Sequence, residues 1–227
     1  MKEHVVEQRT DQWQKLRLGM PTASNFHRII SNTTGKKLAA ARDYLCELVY
    51  EKTTGKFYRK DLSGIKAVQD GIRLEPKAVE EFEKLTRLKT RPVGFITDDN
   101  MRIGCSPDRL IAGSNQAVEV KCPTGPKHIL YTAFSLNENY RAQIQGQIMI
   151  GGYEGVHFVS YNEEFALYHE YVRPDQKFIT AMGTYLTEFT VELIRVTDYM
   201  RRWGVFPKDA VLPNFPREDE SDDGFGV

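Results

Sequence analysis

The chain has 227 residues, 41% of them hydrophobic, and its 31 lysines and arginines are balanced by 31 aspartates and glutamates. That size supports one sizeable core, and the zero net charge gives no indication of a nucleic-acid partner. No apolar run approaches the roughly 20 residues of a membrane span, and three scattered cysteines, Cys46, Cys105 and Cys122, form no disulfide framework or metal-ligand pair.

The opening Met1-Lys2-Glu3-His4 is polar and lacks the apolar stretch of a signal peptide, so a cytoplasmic protein without a membrane partner is expected. In chain order, Thr22 or Ser24 can cap a short helix through Ile30. Over 38–54, Leu38, Ala41, Leu45, Leu48 and Val49 recur at helical spacing, and Gly55 follows as a left-handed stop, so one helix is predicted. Residues 31–66 carry eight basic side chains against four acidic ones, which is either a surface that grips phosphate or a solvated helix face. A second helix is predicted over 65–85, where Pro76 should kink it or start a new one beside Glu75.

Beyond Leu88, the segments 93–96, 102–105, 109–112 and 117–121 are separated by Asp98-Asp99-Asn100 and Gly113-Ser114-Asn115 and read as three or four adjacent strands. Cys105 and Cys122 fall in such segments and read as small buried thiols. Residues 126–135 and 139–150 read as helices, 155–161 and 167–172 as strands, and 174–202 as a long helix with a wide apolar face. This order predicts an α/β or α+β fold, a central mixed β-sheet flanked by helices, in one domain over 1–215. Residues 216–227 are acidic and are expected to form a flexible tail.

The chemistry is concentrated in Ser106-Pro107-Asp108 and, eleven residues on from the aspartate, Glu119-Val120-Lys121. Strand alternation puts Glu119 and Lys121 on one face and Val118 and Val120 on the other. If Asp108 begins the neighbouring strand of a hairpin, its carboxylate comes near Glu119. Two carboxylates about 5 Å apart repel by roughly 3 kcal/mol at an effective dielectric near 20, so a cation between them or protonation of one is required. All-oxygen ligation without a Cys/His cluster points to magnesium or manganese, and Lys121 is placed to orient a water or neutralise a phosphate. On the helix from Asn139, Tyr140, Gln143 and Gln147 form a polar stripe while Ile144 and Ile148 face inward; such a stripe ordinarily faces solvent.

Asp108 with Glu119-Val120-Lys121 resembles the PD-(D/E)xK signature of restriction-endonuclease-like nucleases. Around it stand Trp13-Gln14-Lys15-Leu16-Arg17-Leu18-Gly19, Thr22-Ala23-Ser24, Gly71-Ile72-Arg73-Leu74-Glu75, Glu119-Val120-Lys121-Cys122-Pro123 and Tyr140-Arg141-Ala142-Gln143-Ile144-Gln145. In that order and spacing the set resembles the phage lambda exonuclease, or YqaJ-type viral recombinase, family, from Trp13 to the final helix. The resemblance implies a restriction-endonuclease-like core and a magnesium-dependent 5′-to-3′ exonuclease on linear duplex DNA, releasing mononucleotides and leaving a 3′ overhang.

It further implies that Asp108, Glu119 and the carbonyl of Val120 bind divalent metal, with Glu75 at a second metal position and manganese as a substitute. Read alone, Glu75 is more often an ordinary solvated glutamate, in a stretch that also holds Glu80, Glu81 and Glu83. Lys121 matches the catalytic lysine and Gln143 a glutamine that assists it. Arg17, Ser24 and Ser106 match a pocket for the 5′-terminal phosphate, to which Lys127 adds charge; an arginine fork and hydroxyls suit phosphate oxygens. The implied partners are 5′-phosphorylated duplex ends, two further copies in a ring-shaped homotrimer, and a single-strand annealing protein. The alternatives are an endonuclease of the same superfamily and a non-catalytic DNA-end-binding adaptor.

Overall fold

The computed structural model describes residues 1–58, 66–134 and 137–203. The expected acidic tail, 216–227, lies outside the described residues, as do Ile65 and Ser135 at the ends of two predicted helices.

Helix α1 (Asp11–Arg17) starts where the Thr10 hydroxyl accepts from the Trp13 N–H at 3.3 Å, satisfying an N-terminal donor. A short 3₁₀ helix (Ala23–Arg28) follows; Thr22 precedes it, but its side chain makes no cap bond, so the expected cap is absent. Helix α2 (Ala41–Thr54) stops at Gly55, whose φ of 69° lets its N–H reach the Glu51 carbonyl, as the sequence predicts. Helix α3 (Lys66–Thr86) runs through Pro76 as one element rather than starting anew there. The crossover helices α4 (Gly125–Phe134) and α5 (Asn137–Gly151) and the long α6 (Gln176–Trp203) match the predicted spans closely.

The strands are β1 (Lys2–His4), β2 (Thr90–Pro92), β3 (Phe95–Thr97), β4 (Gly104–Cys105), β5 (Arg109–Ile111), β6 (Gln116–Lys121), β7 (Gly155–Ser160) and β8 (Tyr168–Val172). They do not form the single run of adjacent strands expected after Leu88. Strands β1, β3 and β4 make a three-stranded sheet, and the other five make a sheet in the order β2-β5-β6-β7-β8. All pairs in that larger sheet are antiparallel except β6 with β7, whose parallel pairing needs the α4–α5 crossover.

Two apolar clusters hold this mixed sheet between helices. Leu74, Ala78 and Phe82 recur every four residues along α3 and share one cluster with Ile111, Val118, Val120 and Val159. The larger cluster gathers α2, α5, α6 and the 3₁₀ helix around Phe26, Tyr44, Ile144, Phe158 and Met182. Helix α5 seats on the 3₁₀ helix at Gly146, where a Cβ would stand 2.6 Å from the Phe26 ring. Only glycine permits that approach.

Candidate active site

Strands β5 and β6 pair with Arg109 opposite Val118, which brings Asp108 alongside Glu119. The Asp108 N–H donates to the Val118 carbonyl at 3.0 Å, and its Oδ2 accepts from the Val120 N–H at 2.6 Å. The hairpin anticipated from Gly113-Ser114-Asn115 therefore holds one carboxylate against the backbone that bears the other.

Glu119 is almost fully buried, 2% exposed, yet it lies on the face turned toward α5. Its Oε1 accepts from Lys121 Nζ at 2.5 Å and from Gln143 Nε2 at 2.5 Å, and its Oε2 accepts from Gln147 Nε2 at 2.6 Å. A buried carboxylate thus faces one ammonium and two amides, the kind of pairing that burial of a charge demands. The glutamines of the expected polar stripe, Gln143 and Gln147, are buried rather than solvated. Gln147 Oε1 is buried and has no hydrogen-bond partner. The Lys121 ammonium stands over the Tyr140 ring, 5.0 Å from its centroid.

The charges act on one another. Burial pushes the Asp108 carboxyl well above the usual carboxylate range, and the negative charges of Glu119 and Glu75 push it the same way, against Lys121. Burial alone would favour the neutral amine of Lys121, but Glu119 and Asp108 outweigh it and hold the ammonium charged above its usual range. Burial, with Glu75 and Asp108, pushes the Cys122 thiol up to about 12, and burial raises Cys105 further, so neither is a thiolate nucleophile.

Asp108 under the negative charges of Glu119 and Glu75, all three offering oxygen, suits a hard divalent cation in kind. Among the described residues, however, no three His, Cys, Asp or Glu side chains are already gathered closely enough to hold one ion. Glu119 is engaged by Lys121 and the two glutamines, and Glu75, on α3, forms an ion pair with Arg9.

The four residues expected to meet a terminal phosphate fall in two adjoining groups. Ser106 Oγ accepts from Trp13 Nε1 at 2.9 Å, and the Arg17 guanidinium stacks on the same indole, 3.8 Å from the ring centroid. Ser24 is exposed and lines a cleft of about 300 Å³ with His27, Lys127, Tyr140 and Gln143. A parallel bridge pairs Thr22 with Gly104, so Ser24 and Ser106 each stand two residues beyond the same contact. Gln143 belongs to both arrangements: it lines the cleft and donates to Glu119.

Sequence reasoning did not single out Trp13 as the link between Arg17 and Ser106, Gln147 as the second amide on Glu119, or His27 in the cleft. Gln147 had a visible signal, since it lies one turn beyond Gln143. His27 and the Arg9–Glu75 pair had none, because both depend on long-range packing.

Residues 12–154 match the family of YqaJ-like viral recombinase domains. Among solved structures, the alkaline exonuclease LHK-Exo from Laribacter hongkongensis is 27% identical, with a TM-score of 0.75 over 85% of this chain and 97% of that one. A structure of LHK-Exo in complex with dAMP aligns with the same values. A phage-related exonuclease from Haemophilus somnus 129PT, 14% identical, shares the fold with a TM-score of 0.64 over 80% of this chain and 96% of that one. No curated protein sequence matches significantly. None of the described helices is long and apolar enough to cross a membrane.

Proposed function

The chain belongs to the YqaJ-like viral recombinase family and is a nuclease of the exonuclease type, and from that premise we propose that it degrades the 5′-ended strand of linear duplex DNA with magnesium. The observation that carries the reading is the buried Glu119, tied to Lys121 and Gln143, in a common field with Asp108 and Glu75 and bordering the cleft of Ser24 and Lys127.

In this reading Arg17, Ser106, Ser24 and Lys127 seat the 5′-terminal phosphate, the guanidinium fork taking two oxygens and the hydroxyls closing the shell. Trp13 orients both Arg17 and Ser106 through one indole. Asp108, Glu119 and the Val120 carbonyl would hold one magnesium ion and Glu75 would share in a second, with manganese as a substitute; when bound, such ions activate a water and neutralise charge on the phosphate. Lys121 stays protonated beside its carboxylates and donates toward the attacking water or the phosphate oxygen. Gln143 and Gln147 fix the Glu119 carboxylate so that it does not have to be ordered during the reaction.

Cleavage from the end would release mononucleotides, a reading supported by the dAMP complex of LHK-Exo, and would leave a 3′ strand for a single-strand annealing protein. We extend the proposal to a ring-shaped homotrimer. Encirclement retains DNA without many salt-sensitive phosphate contacts, which suits a chain of zero net charge. Light scattering that finds only monomers at micromolar concentration would refute the ring.

The test is digestion of linear, 5′-phosphorylated duplex with and without a chelator. Linear DNA should shorten only with magnesium, more slowly when the phosphate is removed, while closed circular DNA stays intact and Asp108→Ala is inactive. Nicking of the circle would favour an endonuclease, and full activity of Asp108→Ala would place the chemistry elsewhere.

A further inference from the structure

The segment ahead of α1 carries a positive charge for which the proposed chemistry has no use. Gln8 donates to the carbonyls of Val93 at 2.9 Å and Pro107 at 2.7 Å, so this segment is tied to the residue next to Asp108. Thr10 caps α1 and also donates to the Glu7 carbonyl at 2.7 Å. Between these anchors Arg9 adopts a φ of 70°, a left-handed conformation that few non-glycine residues enter. Its guanidinium forms an ion pair with Glu75, 66 residues away.

The Arg9 side chain is 49% exposed, and ion pairs of that kind add little stability. A strained backbone that such a pair does not offset is more often found where ligands bind. Glu75, in turn, stands close enough to Asp108 for its charge to act there. Arg9 therefore lies at the edge of the carboxylate cluster, on the strap that joins it to the helix bearing Trp13 and Arg17.

We propose that Arg9 is a DNA-phosphate-binding residue: it rests on Glu75 in the free protein and transfers its guanidinium to a backbone phosphate of the duplex when Glu75 turns to a divalent cation. The inference rests on the metal-dependent nuclease reading above. Glu75 has one carboxylate, and a guanidinium and a cation compete for it. An arginine that loses this partner keeps a planar fork of donors that matches phosphate oxygens. Exchange of one anion for another costs the arginine little, while the approach of DNA lowers the cost of freeing Glu75.

Fluorescence anisotropy of a 5′-phosphorylated linear duplex, with calcium in place of magnesium and across a salt series, tests the exchange. Arg9→Ala should bind several-fold more weakly, and its slope of log affinity against log salt should fall by about 0.9, the value for one phosphate contact. Arg9→Lys should keep the slope, and both variants should keep the wild-type melting temperature. An Arg9→Ala slope equal to that of the wild type overturns the assignment, whatever the affinity does. Wild-type protein that neither binds the duplex nor cuts it with magnesium overturns the nuclease reading and this proposal together; wild-type protein that does both, beside an unchanged Arg9→Ala slope, overturns the role of Arg9 alone.

Discussion

On one face of β6, Val118 and Val120 pack with Leu74, Ala78 and Phe82 of α3; on the other, Glu119 and Lys121 meet Gln143, Gln147 and Tyr140 of α5. Both faces are largely buried, and neighbouring residues of the same strand supply them. The apolar face is held by contact area, which any side chain of similar shape supplies. The polar face is held by three directed donors, from Lys121, Gln143 and Gln147, on one carboxylate. The first tolerates exchange and fixes the sheet; the second tolerates little and fixes a carboxylate.

That contrast can be broken most sharply at Lys121. Lys121→Met should lower cleavage per folded molecule by about 10²- to 10⁴-fold, the range for a positioned proton donor, beyond the stability lost when the buried Glu119 is deprived of its ammonium. A loss of folding equal to the loss of activity would mean that the polar face is merely structural. Phe82→Ala, across the sheet, should show the opposite pattern. It should cost about 3–5 kcal/mol of stability by chemical denaturation, with cleavage per folded molecule largely kept.

A smaller effect should come from pH on the packing face. His157 lies opposite Val118 on β7, under the Phe82 ring, and its Nδ1 is 2.8 Å from His169 Nε2. Burial, helped by His169, lowers its pKa to about 4. The unfolded chain therefore binds a proton that the folded chain resists, so stability is full above about 6.5 and falls as pH drops toward 4, by at most about 3 kcal/mol. Denaturation curves at pH 7 and pH 4.5 would measure this, and His157→Gln should flatten the difference. An unchanged difference in that variant would assign the acid sensitivity to other groups.

The same contrast explains what was legible in the sequence. Alternation in β6 placed Glu119 and Lys121 together because a strand has only two faces. Gly55 and Gly113-Ser114-Asn115 announced a helix end and a hairpin because their local geometry is nearly autonomous. The division of the strands after Leu88 into two sheets was hidden, since β3 and β4 are only three and two residues long and β3 pairs with β1 from the start of the chain. The burial of Gln143 and Gln147 was hidden for a related reason. A helix covered on both sides shows the same polar stripe as one in water, and only the carboxylate across from it tells them apart.

The seat of α5 at Gly146 has a consequence for how far the substrate can advance. The 3₁₀ helix bears Ser24, α5 bears the amides that clamp Glu119, and beside the cleft they share the two are seated on each other where Phe26 and Ala23 meet the bare backbone of Gly146. Incompressible atoms in contact make a caliper, so under the proposed function the span from anchored end to severed bond is a fixed gauge rather than a flexible reach. An alanine at 146 would open the jaws, and the register of the cut would drift with them.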